Sequence, residues 1–289
     1  MDSTGYMGNT DLNLHPVDAL ELAASRNRPL PQTTLSVIGS PGLLPMILEL
    51  FALRWHWWQR SRTDLFAQYP EVNTLVGSIP SLAHFAALHP EHCLRWAEAR
   101  IESSGAEILE VPAPGAGWHP GQPIRLAQEA FASAVRKQGH PYGFAAGLAA
   151  AFVEIASNAM EHANAPIPPV ACFQVTNNHW AFGVTDVGRG VRASLSENPA
   201  FAYLRTDQEA LKQAIQEGVS RHQEAGRGLG FNTVFKALVD HSAILRFRSG
   251  GAAGSWQGAS PTAQRVVLQS LPVGRKGGFQ VSAYGTHHR

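Results

Sequence analysis

A helix expected from Tyr142 to His162 constrains this chain more than any other segment. It carries Glu154, Asn158 and His162 at i, i+4 and i+8, positions that fall on one helical face. Phe152, Ile155 and Ala159 fall on the other side, which is apolar. Such a helix needs a hydrophobic surface to lie on, and the strands that follow it can supply one.

The pattern around it is a second helix, Ile124 to Lys137, then strands at Val170 to Asn177 and Trp180 to Thr185 joined by a turn at Asn177 and Asn178. A polar stretch follows from Arg192 to Arg221, with a helical pattern at Asp207 to Glu217. A glycine cluster and a helix from Asn232 to Leu238 come next, and strands close the pattern at Ile244 to Arg248, Arg265 to Ser270 and Phe279 to Tyr284. This order predicts an α+β fold: a layered sandwich with a mixed, largely antiparallel sheet and helices on one face.

Upstream, residues 1–32 read as a flexible leader holding one short helical pattern, Val17 to Ala24. Residues 33–123 read as a smaller α/β unit, a partner or sensor domain. Its strand is expected at Thr33 to Ile38, its helices at Leu82 to Leu88 and Cys93 to Ser103, and a second strand at Glu107 to Val111. The stretch from Pro112 to Pro123 holds four prolines and three glycines, which marks it as a linker. The third unit is then 124–289. The apolar run Pro41 to Leu53, continuing to Trp55, Trp57 and Trp58, is shorter than the roughly 20 apolar residues of a membrane span. It reads as a helix of the first unit, with a membrane-surface element as the alternative, since Arg60 and Arg62 follow the tryptophans.

Composition narrows the function classes. Of 289 residues 44% are hydrophobic and 16% charged, enough apolar material for a core, and the net charge is only +1. Charge alone therefore does not hold this protein to nucleic acid or to an anionic membrane. Cys93 and Cys172 stand alone, outside any zinc spacing, and with no secretory leader in view they fit a reducing cytoplasm.

Three segments carry chemistry. In the first, the Glu154 carboxylate can orient or deprotonate a hydroxyl or water, and the Asn158 amide oxygen can join the shell of a hard cation such as Mg²⁺. In the second, Asp186-Val187-Gly188-Arg189-Gly190, a strand delivers Asp186 at its end and the glycines let the backbone turn. Asp186 can accept a hydrogen bond from an exocyclic amine such as that of adenine. The third, Gly226-Arg227-Gly228-Leu229-Gly230, runs into a helix and offers amide hydrogens to a phosphate. It lacks the Gly-Lys-Ser/Thr ending of a Walker loop. Singly, these also describe a solvated helix stripe, an ordinary Asp-x-Gly turn and a glycine cluster.

Together and in this order they resemble the boxes of the GHKL ATPase superfamily, which includes histidine kinases and anti-sigma serine kinases. Glu154-x-x-x-Asn158-Ala159-x-x-His162-Ala163 is similar to its asparagine box, and Asp186-x-Gly188-x-Gly190 and Gly226-x-Gly228-Leu229-Gly230 to its two glycine boxes. The resemblance covers residues 124–285. It implies ATP and Mg²⁺ as ligands. Glu154 is then the general base or the group that orients water, and Asn158 the Mg²⁺ ligand. Asp186 binds the adenine amine, Gly188 and Gly190 shape its pocket, and His162 touches a phosphate. Gly226, Gly228, Leu229 and Gly230 end a lid formed by the polar stretch. Arg189 and Arg227 are placed either on phosphate or on the plain surface.

Two departures set the kind of member. The late Gly-Thr of the family is replaced, at its nearest candidate, by Gly277-Gly278 before Phe279, and no phosphoacceptor histidine box is found. The run of features is closest to anti-sigma serine kinases and their orphan bacterial relatives. The resemblance thus implies a cytoplasmic, ATP-dependent regulator, a serine kinase acting on a partner protein. The alternative is a non-catalytic nucleotide switch that binds a protein when its lid orders. No direct nucleic-acid contact and no transmembrane segment are expected, and a homodimer is an open option.

Overall fold

The computed structural model describes residues 15–31, 44–94, 106–110, 122–176, 179–215, 234, 238, 243–257, 266–271 and 276–286. Within them the fold is α+β. Its helices are α1 (Pro16–Ser25), α2 (Leu44–Ser61), α3 (Leu65–Gln68), α4 (Pro70–Gly77), α5 (Pro80–Ala87), α6 (Gln122–Lys137), α7 (Tyr142–His162), α8 (Gly190–Leu195) and α9 (Asp207–Ala214). Its strands are β1 (Ala106–Glu110), β2 (Val170–Val175), β3 (His179–Thr185), β4 (Ile244–Gly250), β5 (Ala252–Gln257), β6 (Val267–Ser270) and β7 (Lys276–Thr286). They form one sheet in the order β1-β2-β3-β7-β4-β5-β6. Every pairing among the described strands is antiparallel, so the expected mixture is here uniform.

Local chemistry explains the helix starts. Proline stands in the first turn of α1, α4 and α5, where its missing N–H costs nothing. The Asp64 carboxylate caps α3 by accepting from the Phe66 amide at 3.0 Å. Thr206 and Glu209 form a reciprocal capping box on α9.

Side-chain alternation along the strands feeds two separate cores. Ala171, Phe173 and Val175 of β2, Trp180, Phe182 and Val184 of β3, and Leu245 and Phe247 of β4 join a core with Phe131 of α6 and Leu148, Phe152 and Ile155 of α7. Phe131 stacks on Phe173 with ring centres 5.1 Å apart and meets Phe152 and Phe182 edge-on. By length and composition α7 is the one described helix able to cross a bilayer. Here its apolar side is instead the centre of this core.

The opposite face of the sheet is covered as well. Val170 and Cys172 of β2 join a second core with Val17 and Leu20 of α1 and Ile47, Leu48 and Phe51 of α2, and α2 lies across β2, β3 and β7. It approaches so closely that a Cβ on Gly183 would stand 2.7 Å from that of Pro45. Helices on one face were expected, but they lie on both. The reason is that β2 and β3 present a second set of small or apolar residues, Val170, Cys172 and Gly183 among them, which α1 and α2 shield from water. Two further observations concern the residues upstream. The helix of residues 1–32 is buried rather than loose, with Val17 and Leu20 fully inside. Among the described residues of 33–123, β1 pairs in the shared sheet and α2 packs on its second face. The strand expected at 33–38 and most of the linker at 112–123 lie outside the described residues.

This second face also holds buried charge. Arg246 and Arg248 of β4 point away from Leu245 and Phe247. Arg246 donates to Asp18 at 2.6 Å and pairs with Glu49 at 3.2 Å. Arg248 is wholly buried and donates to both Asp18 and Glu21. Arg60 of α2 reaches Glu21 at 3.3 Å. Both cysteines are buried and unbridged, and burial pushes the Cys93 thiol up to about 12 and the Cys172 thiol higher still.

Candidate functional site

Glu154, Asn158 and His162 line the side of α7 away from its core-facing Phe152, Ile155 and Ala159, as the helical spacing requires. All three are half-buried. The Asn158 Nδ2 lies 3.5 Å from Glu154 Oε1, a long donor contact that directs the amide oxygen away from the carboxylate. That oxygen is the atom a hard cation would take.

The second segment packs against the C-terminal end of the same helix. Asp186 follows β3 and is 3% exposed. Its Oδ1 accepts from the Gly188 amide at 2.8 Å. Burial pushes this carboxyl up to about 7, with backbone hydrogen bonds from Gly188 and Phe279 working in the other direction. Gly188 has no room for a side chain, because a Cβ there would stand 2.0 Å from the Ala163 carbonyl oxygen. Gly190 has φ +80, a left-handed conformation that favours glycine. The Arg189 amide donates to the Ala163 carbonyl at 3.0 Å, and its Nε to the His162 carbonyl at 3.1 Å. Its guanidinium then grips Glu197 with both terminal nitrogens. Arg189 therefore joins the Asp186 turn to the end of α7 and is committed to that joint.

A third element closes on the turn from β7. The Gly278 amide donates to the Gly188 carbonyl at 2.7 Å, and the Gln280 side chain donates to the Asp186 carbonyl at 3.0 Å. Ser249 of β4 accepts from the Val191 amide at 2.9 Å and donates to the Gly278 carbonyl at 3.1 Å. Sequence reasoning missed Gln280 and Ser249. The one available signal was Gly277-Gly278, which does stand against Asp186. Helices α8 and α9 form a small satellite core of Leu195, Leu204 and Ala210 at the start of the polar stretch. Gly226, Arg227, Gly228, Leu229 and Gly230 lie outside the described residues, as does most of the helix expected after them. Val234 and Leu238 of that helix are helical and buried in the first core.

The structure thus joins the helix of Glu154, Asn158 and His162 to the turn of Asp186, Gly188 and Gly190 through hydrogen bonds from the Arg189 amide and side chain to the Ala163 and His162 carbonyls. A buried carboxylate that faces donors, a half-buried amide oxygen and a nearby carboxylate base can orient a polar ring, hold a cation and move a proton. Among the described residues no group of three His, Cys, Asp or Glu side chains stands close enough to hold a metal. A cation here would rest on Asn158 and on oxygens its ligand brings.

Replacing Arg189 tests the joint. Arg189→Ala is expected to lower unfolding free energy by about 1 to 2 kcal/mol, the worth of charge-assisted bonds to a carbonyl at a partly exposed site. Arg189→Lys should recover little of it, since an ammonium cannot span both partners. Urea titration measures both, and an unchanged midpoint in the alanine variant would contradict the joint.

No protein-family model matches the chain, and no curated protein matches it.

Proposed function

We propose that this protein is an ATP-binding regulator of the GHKL type that transfers a phosphoryl group to a serine of a partner protein, in the manner of anti-sigma serine kinases. The observation that carries the reading is the joint across the β2–β3 hairpin: the turn of Asp186 is bonded to the end of the helix bearing Glu154 and Asn158. An adenine amine donating to buried Asp186 would leave the phosphates to extend along the polar side of α7. The residues fit the ligands. Asp186 is a buried acceptor at a strand end, and Asn158 offers an amide oxygen turned from Glu154. Mg²⁺ bound there would neutralise phosphate charge.

The chain's own residues then have distinct tasks. Asp186 selects a ring with an exocyclic amine. Asn158 fixes the cation against the α7 face. Glu154 accepts the proton of the attacking hydroxyl at a carboxylate oxygen, with positioning and charge neutralisation supplying most of the acceleration. His162, one turn beyond Asn158, is placed to meet a phosphate oxygen.

Label transfer from γ-labelled ATP, to water or to an added partner, tests this. Glu154→Ala is expected to lower transfer by about 100-fold with nucleotide affinity nearly unchanged. Asn158→Ala should weaken Mg²⁺-dependent binding itself. Tight binding with no turnover under any partner condition would replace the kinase reading by the nucleotide switch, and wild-type rates in both variants would end the assignment of these residues.

A further inference from the structure

Asp186 and Val187 are neighbours whose side chains enter different halves of the protein. Asp186 turns to the Gly188 amide within the candidate site, whereas Val187, 4% exposed, packs in the second core with the N-terminal helices. That core is closed by α1 and α2, and α2 touches the back of the site at two more points. A Cβ on Gly277 would lie 2.9 Å from His56 Cε1, so the ring rests against the turn whose next residue donates to Gly188. Pro45 sits closer still to Gly183, 2.7 Å from where a Cβ would stand, near the end of the strand that delivers Asp186. A separate route runs through charge. Arg248 ties β4 to Asp18 and Glu21 of α1, and the next residue, Ser249, bonds Val191 and Gly278 at the site's other border.

We infer that the N-terminal helical layer controls the nucleotide site from behind: docking of α1 and α2 on the sheet and the binding-ready setting of Asp186 form one equilibrium, linked through Val187. This rests on the reading of Asp186 as the adenine acceptor. A packed interface of this kind has discrete settings rather than a continuum, because close-packed side chains do not deform gradually. Anything that loosens α2, a partner included, then weakens nucleotide binding, and nucleotide tightens α2 in return, since coupling between two binding events is reciprocal. Val187 is a positioning residue in this scheme and touches no ligand.

The experiment uses the full chain with a ribose-labelled fluorescent ATP and Mg²⁺. Val187→Ala is expected to weaken binding by about tenfold, within the usual range of coupling between sites, and Val187→Ile to restore it. Val76→Ala, a cavity of the same size in α4 within the same core, should lower the unfolding midpoint without changing affinity. In wild-type protein, Mg²⁺ with ATP should slow hydrogen exchange across residues 44–61. Equal affinity in Val187→Ala and wild type, or equal weakening by Val76→Ala, overturns the coupling alone. If Val187→Ala does not fold, the exchange measurement decides, and unslowed exchange in 44–61 overturns the coupling. Wild-type protein that binds no adenine nucleotide removes the parent reading and this inference with it.

Discussion

Asp186→Asn is expected to make the protein more resistant to unfolding at pH 8 while abolishing nucleotide binding. Burial raises the folded-state carboxyl from its ordinary 3.8 to about 7. The folded protein therefore holds this proton more tightly than the unfolded chain does. Stability is greatest below the unfolded value and falls as pH rises from about 4 to about 7, by on the order of 4 kcal/mol at most. Above pH 7 the buried charge is a standing cost, which the neutral amide removes. Binding goes the other way. The Gly188 amide and the Phe279 backbone already donate to the carboxylate, and an adenine amine would add another donor. An asparagine presents one acceptor oxygen and an NH₂, so one of these donors must meet a donor, and a loss of 100-fold or more is expected. Thermal unfolding at pH 5 and pH 8, with calorimetric titration of Mg²⁺ and ATP, reads both effects. A variant less stable than wild type at pH 8 that still binds ATP would refute the role of Asp186.

Removing one member of the buried charge cluster should have the largest effect on stability alone. Arg248→Met removes the fully buried guanidinium that Asp18 and Glu21 share, leaving Asp18 to Arg246 and Glu21 to Arg60. Breaking a buried pair from one side costs about 3 to 5 kcal/mol, a drop in midpoint on the order of 10 °C for a chain this long. The pH dependence carries a separate signature. Burial alone would raise the Asp18 carboxyl, but Arg246 and Arg248 outweigh it and hold it below the ordinary range. Its contribution is present above the unfolded value of about 3.8 and is lost as pH falls further through the folded value. Wild type should therefore weaken below pH 4, and Arg248→Met should show less of that acid step. A midpoint within 2 °C of wild type would mean the cluster is replaceable as it stands. Asp18 and Asp186 pull in opposite directions along the pH axis, so the two variants separate cleanly in one set of melts.

Local pattern carried much of this into the sequence. Glu154, Asn158 and His162 share a helical face because the period of the helix demands it, and the ends of α6, α7, β3 and β4 fall close to their expected places. What sequence could not show was long-range pairing. Leu245-Arg246-Phe247-Arg248 reads as a strand with one wet face, and nothing near it announces carboxylates more than 200 residues away. Asp18 and Glu21 likewise look like the solvated side of a short, mostly apolar helix until that helix is laid on β4. Strand β5, Ala-Ala-Gly-Ser-Trp-Gln, lacks the β-branched residues that mark a strand and is held by its neighbours β4 and β6 instead.

The sheet order has a consequence for biosynthesis. Strand β7, residues 276–286, lies between β3 and β4 and, among the described strands, is the only one bonded to both. While a ribosome still shields those residues, β1-β2-β3 and β4-β5-β6 are two ribbons that share no strand pairing among the described residues. The nascent chain must then wait, with Phe182 and Phe247 incompletely covered, until its last described strand emerges and threads the gap. For that interval the protein is a natural client for chaperones, and a stop codon before residue 276 would leave it in that state.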